Sequence, residues 1–178
     1  MVHAHGGGER EFVPIGIAVL TVSDSRDEQT DKSGRLLVER LTRAGHRLAE
    51  KAIVPDDVYQ IRAVVSRWIA SPEVNAVITT GGTGVTGRDG TPEAIGPLLD
   101  KVLEGFGEMF RSISHADIGT STVQSRALAG VANGTYVFTV PGSSHACATA
   151  WDALIAAQLD NRTRPCNLVE LMPRLRET

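Results

Sequence analysis

The sequence predicts an α/β protein whose parallel or mostly parallel sheet is covered by helices on both faces, and three observations predict it. Apolar runs of strand length recur at 15–22, 75–79 and 136–140, unbroken rather than alternating, as strands buried on both faces read. Segments of helical spacing lie between them. Each run stops in a cluster of Asp, Ser, Gly or Pro, the residues of strand-to-helix turns. Alternation of this kind belongs to crossover units on a parallel sheet.

The elements follow in order. The run 15–22 opens the sheet and breaks at Ser23-Asp24-Ser25-Arg26. Over 32–44, Leu37, Val38, Leu41 and Ala44 share a helical face, and Gly45 stands where a left-handed cap closes a helix. A second strand ends at Ile53-Val54 and turns at Pro55-Asp56-Asp57. Val58, Ile61, Val65 and Trp68 then mark a helix that Ser71-Pro72 ends. The strand 75–79 runs into the densest glycine cluster of the chain. Thr91-Pro92 is the expected cap and first-turn proline of a helix carrying Ile95, Leu98, Leu99 and Val102. From 104 to 133 the pattern is weaker, with Phe106, Met109, Phe110 and Ile113, and reads as helix without a strand. The strand 136–140 breaks at Pro141-Gly142-Ser143-Ser144, and a helix over 146–159 buries Trp151, Leu154 and Ile155.

The 178 residues fit one domain, expected over 13–178 behind a flexible tail at 1–12 that holds His3-Ala4-His5 and three glycines. Hydrophobic residues at 42% and charged ones at 22% are ordinary for a globular protein, and a net charge of -3 argues against nucleic acid or anionic membrane as partner. No segment approaches the ~20 apolar residues of a membrane helix, and no signal-peptide core opens the chain, so a cytoplasmic location is expected. Cys147 and Cys166 lack C-x-x-C or zinc spacing and read as free thiols.

Ligands of open α/β sheets bind outside the carboxyl ends of the strands. Of the four strand ends, capping and turn geometry account for any one taken singly. The third, VITTGGTGVTGRDGTPEA, exceeds what a cap requires. Gly82, Gly84 and Gly87 spell G-x-G-x-x-G, but Pro92 starts the helix too late and no acidic strand end follows for a ribose. A nicotinamide-dependent oxidoreductase therefore rests on spacing alone. A P-loop would need Lys and Ser or Thr where Arg88 and Asp89 stand. What survives is a phosphate-accommodating loop, with backbone amides and Arg88 for the anion and Asp89 as an oxygen ligand for magnesium.

With GGTGVTGRDGTPEA, Ser125-Arg126-Ala127, Pro141-Gly142-Ser143 and Thr163-Arg164-Pro165-Cys166-Asn167 in order, the chain resembles the MoaB/Mog family of molybdenum cofactor biosynthesis proteins. The last run brings it closer to the MoaB branch. The resemblance implies a three-layer α/β/α molybdopterin-binding fold and molybdopterin adenylyltransferase activity, in which the terminal phosphate of molybdopterin attacks the α-phosphate of ATP and pyrophosphate leaves. It implies catalytic and Mg2+-binding roles for Asp56 and Asp89. Gly81, Gly82, Thr83, Gly84, Arg88, Pro141, Gly142 and Ser143 would contact nucleotide or phosphate, and Ser23, Asp24, Ser125 and Arg126 would contact molybdopterin. A solvated helix face is the alternative for Ser125-Arg126, and a plain turn residue for Asp24. Relatives usually carry a larger residue where Gly90 stands, so the loop is expected to be less preorganised here. A non-catalytic molybdopterin-binding or carrier protein of the same fold is the alternative function. The resemblance also implies a homo-oligomer, trimer or hexamer, and a downstream molybdate-insertion protein as partner. Leu168, Val169, Leu171 and Met172 form an apolar extension that docks on a neighbouring copy or on its own domain.

Overall fold

A computed structural model describes residues 10–177, and among them six strands form one sheet. These are β1 (Gly16–Val22), β2 (Arg47–Val54), β3 (Ala76–Thr80), β4 (Lys101–Val102), β5 (Leu128–Ala132) and β6 (Thr135–Val140), in the order β2-β1-β3-β6-β5-β4. β2, β1, β3 and β6 are parallel, while β5 runs antiparallel to β6 and β4 antiparallel to β5. The helices are α1 (Lys32–Arg43), α2 (Val58–Ile69), α3 (Thr91–Ile95), α4 (Glu104–Ile118), α5 (Ser144–Ala150), α6 (Ala156–Gln158) and α7 (Leu168–Leu171). None is long and apolar enough to cross a membrane.

Alternation along the strands divides the core into two layers. Ile17 and Val19 of β1, Ile78 of β3, and Tyr136, Phe138 and Val140 of β6 face Leu37 and Leu41 of α1, Phe110 of α4 and Cys147 and Ala150 of α5. Ala18, Leu20, Val77 and Val137 face the other way, onto Ile61, Val65 and Trp68 of α2 and Ile95 of α3. The result is the expected α/β/α sandwich. Its helices start and stop for local reasons. Asp31 caps α1 by accepting from Gly34 N at 2.8 Å, and Asp57 caps α2 by accepting from Tyr59 N and Gln60 N. Gly45, at φ 93°, closes α1 as expected, with His46 N donating to Leu41 O and Gly45 N to Thr42 O.

Three expectations are corrected. The segment 104–133 contains a strand, β5, joined to β6 by Asn133-Gly134, both at positive φ. In its sequence Leu-Ala-Gly-Val-Ala, Gly130 has no room for a side chain beside β4: a Cβ there would lie 2.5 Å from Lys101 O. The helix after the glycine loop stops at Ile95, passes through a 3-10 turn at Gly96–Leu98 and becomes β4. Pro97 has no N–H for the next helical bond, and Arg62 donates instead to Glu93 O and Ala94 O. Third, Gly90 rather than Thr91 occupies the cap position of α3, and it makes no side-chain cap bond.

The helix expected at 146–159 is α5 and α6 joined by a π-helical segment, Trp151–Ile155. In the expected apolar extension, Val169 is buried in the domain's own core and Leu168 and Met172 pack on it, leaving Leu171 exposed. Of the expected tail, His3 and His5 lie outside the described residues. Arg10 and Phe12 are docked: Arg10 donates to Asn161 O, and the Phe12 ring lies 5.0 Å from that of His46 and 4.8 Å from the Arg162 guanidinium.

Candidate functional site

Register places the site. Val22 pairs with Val54, Thr21 with Thr80, and Thr80 with Val140, so four parallel strands end level and release their loops along one edge. The chain reverses direction of growth between β1 and β3, since β2 lies on one side of β1 and β3 on the other. That crevice is the topological switch point where open α/β sheets bind ligands. The loop after β1 and the glycine loop after β3 flank it.

The glycine loop is held by backbone geometry that side chains would obstruct. Gly81 and Gly82 adopt φ 103° and 64°, a region costly for other L-residues. A Cβ on Gly81 would lie 2.1 Å from Val22 O, and one on Gly82 2.3 Å from Thr91 Oγ1 and 2.5 Å from Asp56 Oδ2. One on Gly84 would lie 2.6 Å from Asp89 Oδ2. Both aspartate carboxylates therefore rest against bare main chain. Thr91 N donates to Gly82 O at 3.0 Å and Thr91 Oγ1 to Gly81 O at 2.8 Å, tying the start of α3 back to the start of the loop. This is the work of the Thr91 hydroxyl in place of capping.

The two carboxylates have opposite electrostatics. Burial is the main influence raising Asp56 above the ordinary aspartate range, joined by the charges of Asp89 and Asp24, with the Gly90 amide and Arg88 opposing. The Thr86 hydroxyl first, and then the Thr86 and Gly84 amides, hold Asp89 below that range. Thr86 N and Oγ1 reach Asp89 Oδ2 at 2.8 and 2.6 Å. Asp56 Oδ1 accepts from Gly90 N at 3.0 Å.

Asp24 and Arg88 meet across the crevice, Nε to Oδ2 at 3.0 Å and Nη2 to Oδ1 at 2.6 Å, and that pairing holds Asp24 below its usual range. Asp24 Oδ1 also accepts from Asp56 N, so three loops are linked. Ser23 Oγ accepts from Ser25 N and Arg26 N within its own turn. Beside it a polar cavity of about 260 Å³ is lined by Ser23, Arg26, Lys32, Ser33, Thr80 and Ser143. Ser125 lines a second cavity, about 130 Å³, on the far side of Pro141 and Ser143. Gly142 closes on the loop, where a Cβ would lie 3.1 Å from Gly81 Cα, and Gly81 N donates to Val140 O. Thr83 is buried beneath the loop and its carbonyl accepts from Arg126 N. The Arg126 side chain turns onto the loop itself, donating to Gly84 O at 2.7 Å, to Asp89 O at 2.8 Å and to the Glu93 carboxylate.

Sequence reading thus assembled Asp24, Asp56, Arg88, Asp89 and the glycines at one place. It did not find Thr86 or Glu93, whose partners are visible only once the loop is folded. A wider groove of about 670 Å³ lies elsewhere, lined by Val102, Phe106, Met109, Phe138 and Leu154. Its apolar walls offer little to a phosphate, so the polar crevice is the candidate site.

Comparison with known proteins identifies the family. Residues 18–161 match the model of a family described as "Probable molybdopterin binding domain". Molybdenum cofactor biosynthesis protein B of Escherichia coli (strain K12) is 57% identical over 157 residues, which span 88% of this chain and 92% of that protein. The crystal structure of a molybdenum cofactor biosynthesis protein B superposes with a TM-score of 0.85 at 39% identity, covering 95% of this chain and all of that one. That of the tungsten cofactor synthesizing protein MoaB from Pyrococcus furiosus gives 0.76 at 35% identity, over 92% and 98%. Sequence and fold converge: this chain belongs to the MoaB/Mog family of molybdenum cofactor biosynthesis proteins.

Proposed function

We propose that this protein binds molybdopterin and ATP in the crevice outside β1 and β3 and adenylylates the molybdopterin phosphate, releasing pyrophosphate. The observation that carries the reading is the seating of Asp56 and Asp89 against bare main chain at Gly82 and Gly84, beside an arginine, at the switch point. The family's description, a molybdopterin binding domain, supports the pterin. The phosphate loop and the two carboxylates suggest the nucleotide.

The nucleophile is a phosphate monoester with second pKa about 6, largely dianionic at neutral pH, so no strong general base is needed. Its oxygen forms a bond to the α-phosphorus of ATP as the bond to pyrophosphate breaks, and charge repulsion between the two anions is the obstacle. The donor set fits magnesium, which takes one or two carboxylates and completes its shell with phosphate oxygens and water. Bound by Asp56 and Asp89, Mg2+ would supply the positive charge that offsets the repulsion and the charge of the leaving pyrophosphate. Asp89 is kept ionised by Thr86 and Gly84. Asp56, desolvated beside other carboxylates, gains most from a cation. The loop amides not already engaged by Asp56, Asp89 or Val140 would hold phosphate oxygens, joined by the Arg88 N–H groups that Asp24 leaves unused, and the Pro141-Gly142-Ser143 turn would border the ligand. Self-association belongs to the same reading, with the apolar groove at Phe106 and Met109 as its surface and sedimentation as its check.

The test is incubation of pure protein with molybdopterin and Mg-ATP. Adenylylated molybdopterin and pyrophosphate should appear in equal amounts, and Asp89→Asn should slow the reaction on the order of a hundredfold or more with the fold intact. Tight molybdopterin binding without product would make the chain a carrier.

A further inference from the structure

We infer that Arg126 is a positioning residue for the glycine loop, setting the placement of Asp89 and Asp56 relative to one another instead of contacting the ligand. The loop needs such a tie. Val85 is 68% exposed, a Cβ on Gly87 would meet nothing within 4 Å, and residues 85–88 are all exposed, so apolar packing does not hold this stretch. Polar ties hold it, and the planar fork of one arginine makes three of them. Nε donates to Gly84 O and Nη2 to Asp89 O, near the two ends of the exposed stretch, while Nη1 pairs with Glu93 on α3. One rigid group therefore fixes the span from Gly84 to Glu93.

The connection reaches Asp56 through a single peptide unit. Asp89 C=O and Gly90 N–H belong to the same trans peptide and point in opposite directions. Arg126 grips the carbonyl at 2.8 Å, and Asp56 Oδ1 accepts from the amide at 3.0 Å. Moving Arg126 rotates that plane and moves the hydrogen bond that seats Asp56. The same logic applies at Gly84, where the carbonyl held by Arg126 turns the Val85 amide to the opposite side of the peptide. Three of the guanidinium's five N–H donors are already taken, two by the loop and one by Glu93 of α3, and the residue approaches from the β5 side, 37 positions after Asp89.

The catalytic half of this inference rests on the adenylyltransferase reading; the structural half does not, and the experiment separates them. Hydrogen exchange followed by mass spectrometry on the ligand-free protein should show residues 84–90 exchanging faster in Arg126→Ala than in the wild type, with β2 and α1 unchanged. Arg126→Lys should fail to restore protection, because an ammonium acts as a point donor and cannot span Gly84 O and Asp89 O. It also serves as the working variant should the alanine protein not fold. In turnover, kcat should fall about a hundredfold, the effect of a displaced catalytic group. The Mg2+ concentration for half-maximal rate should rise, while KM for molybdopterin stays put. Unchanged exchange over 84–90, or full rescue by lysine, would overturn the inference. So would a defect confined to KM for molybdopterin, which would make Arg126 a pterin contact. If the wild type makes no product, the exchange measurement still decides the structural half.

Discussion

Two turns stand side by side at the edge where the parallel strands end, after β3 and after β6, and they differ in length, in strain and in the number of ties that hold them. The Pro141-Gly142-Ser143 turn is three residues long and takes one bond from its own helix, Ala146 N to Ser143 Oγ, and two from elsewhere in the chain, Thr80 Oγ1 to Pro141 O and Ser33 Oγ to Gly142 O. The glycine loop is ten residues long and draws its ties from four other places in the chain, Asp24, Asp56, Thr91 and Arg126. The short turn is a wall. In the long one, capacity for binding is bought with left-handed glycines and with carboxylates desolvated against main chain, features that do nothing for a cap. The proposed function resides in the turn that depends more heavily on the rest of the chain.

The strongest way to break this contrast is to place a methyl group in each turn. Gly81→Ala puts a Cβ 2.1 Å from Val22 O at φ 103°, combining backbone strain with overpacking against an immobile carbonyl. A loss of roughly 3 kcal/mol or more is expected, a large fraction of the stability of a single domain. Gly142→Ala meets Gly81 Cα at 3.1 Å without a positive φ, and about 1 kcal/mol is expected, at the low end for overpacking. Chemical denaturation of both variants measures the gap. Equal losses would show that the two turns tolerate crowding alike and that the strain is not confined to the glycine loop.

How much of this was legible in the sequence follows the same division. Strands β1, β3 and β6 announce themselves because they are buried on both faces, and their ends point to the crevice through the strand-end rule alone. β5 was missed because Ala and Gly fill most of it, Gly130 for want of room beside β4, and they carry no strand signal. Yet Asn133-Gly134 just ahead of Tyr136 to Val140 is a strong hairpin signal and demanded a preceding strand. Pro97 likewise marked the end of α3. Within the site, Asp56, Arg88 and Asp89 were readable as residue types suited to metal and phosphate. The grip of Arg126 on the loop was not, because its two acceptors there, Gly84 O and Asp89 O, are main-chain carbonyls, which carry no residue identity.

A second, smaller effect sharpens the comparison between the two carboxylates. Asp56 has its folded-state pKa raised, chiefly by burial. Its contribution is therefore favourable below the unfolded aspartate value of about 3.9 and is lost as pH rises through the folded value, leaving ionised Asp56 a net cost at neutral pH. Asp89 is the reverse case: its folded pKa is depressed, so its stabilisation is present above the unfolded value and is lost as pH falls through the folded one. Asp56→Asn keeps an oxygen for the Gly90 amide and removes the charge. The ligand-free variant should be more stable than wild type at pH 7, with the difference closing as pH drops through the acidic range. Added Mg2+ should raise the melting temperature of the wild type but not of the variant. A variant less stable at every pH would mean that the charge of Asp56 helps to hold the loop.

The smallest expected effect comes from the one glycine in the loop that geometry does not require. Gly87 lacks a positive φ, and a Cβ there meets nothing within 4 Å, so alanine enters without strain. Its effect then comes from the unfolded chain, which loses conformational freedom, and Gly87→Ala should stabilise by about 0.5 kcal/mol. For a chain of this length that raises the melting temperature by roughly 1–2 °C. Because Arg126 and the Thr86–Asp89 hydrogen bonds already define the loop on either side of this position, its ligand-free conformation should not change. Hydrogen exchange over 84–90 should stay the same or slow slightly. A fall in melting temperature would instead show that residue 87 uses conformations open only to glycine, and that the exposed tip of the loop is not held by the ties at its ends.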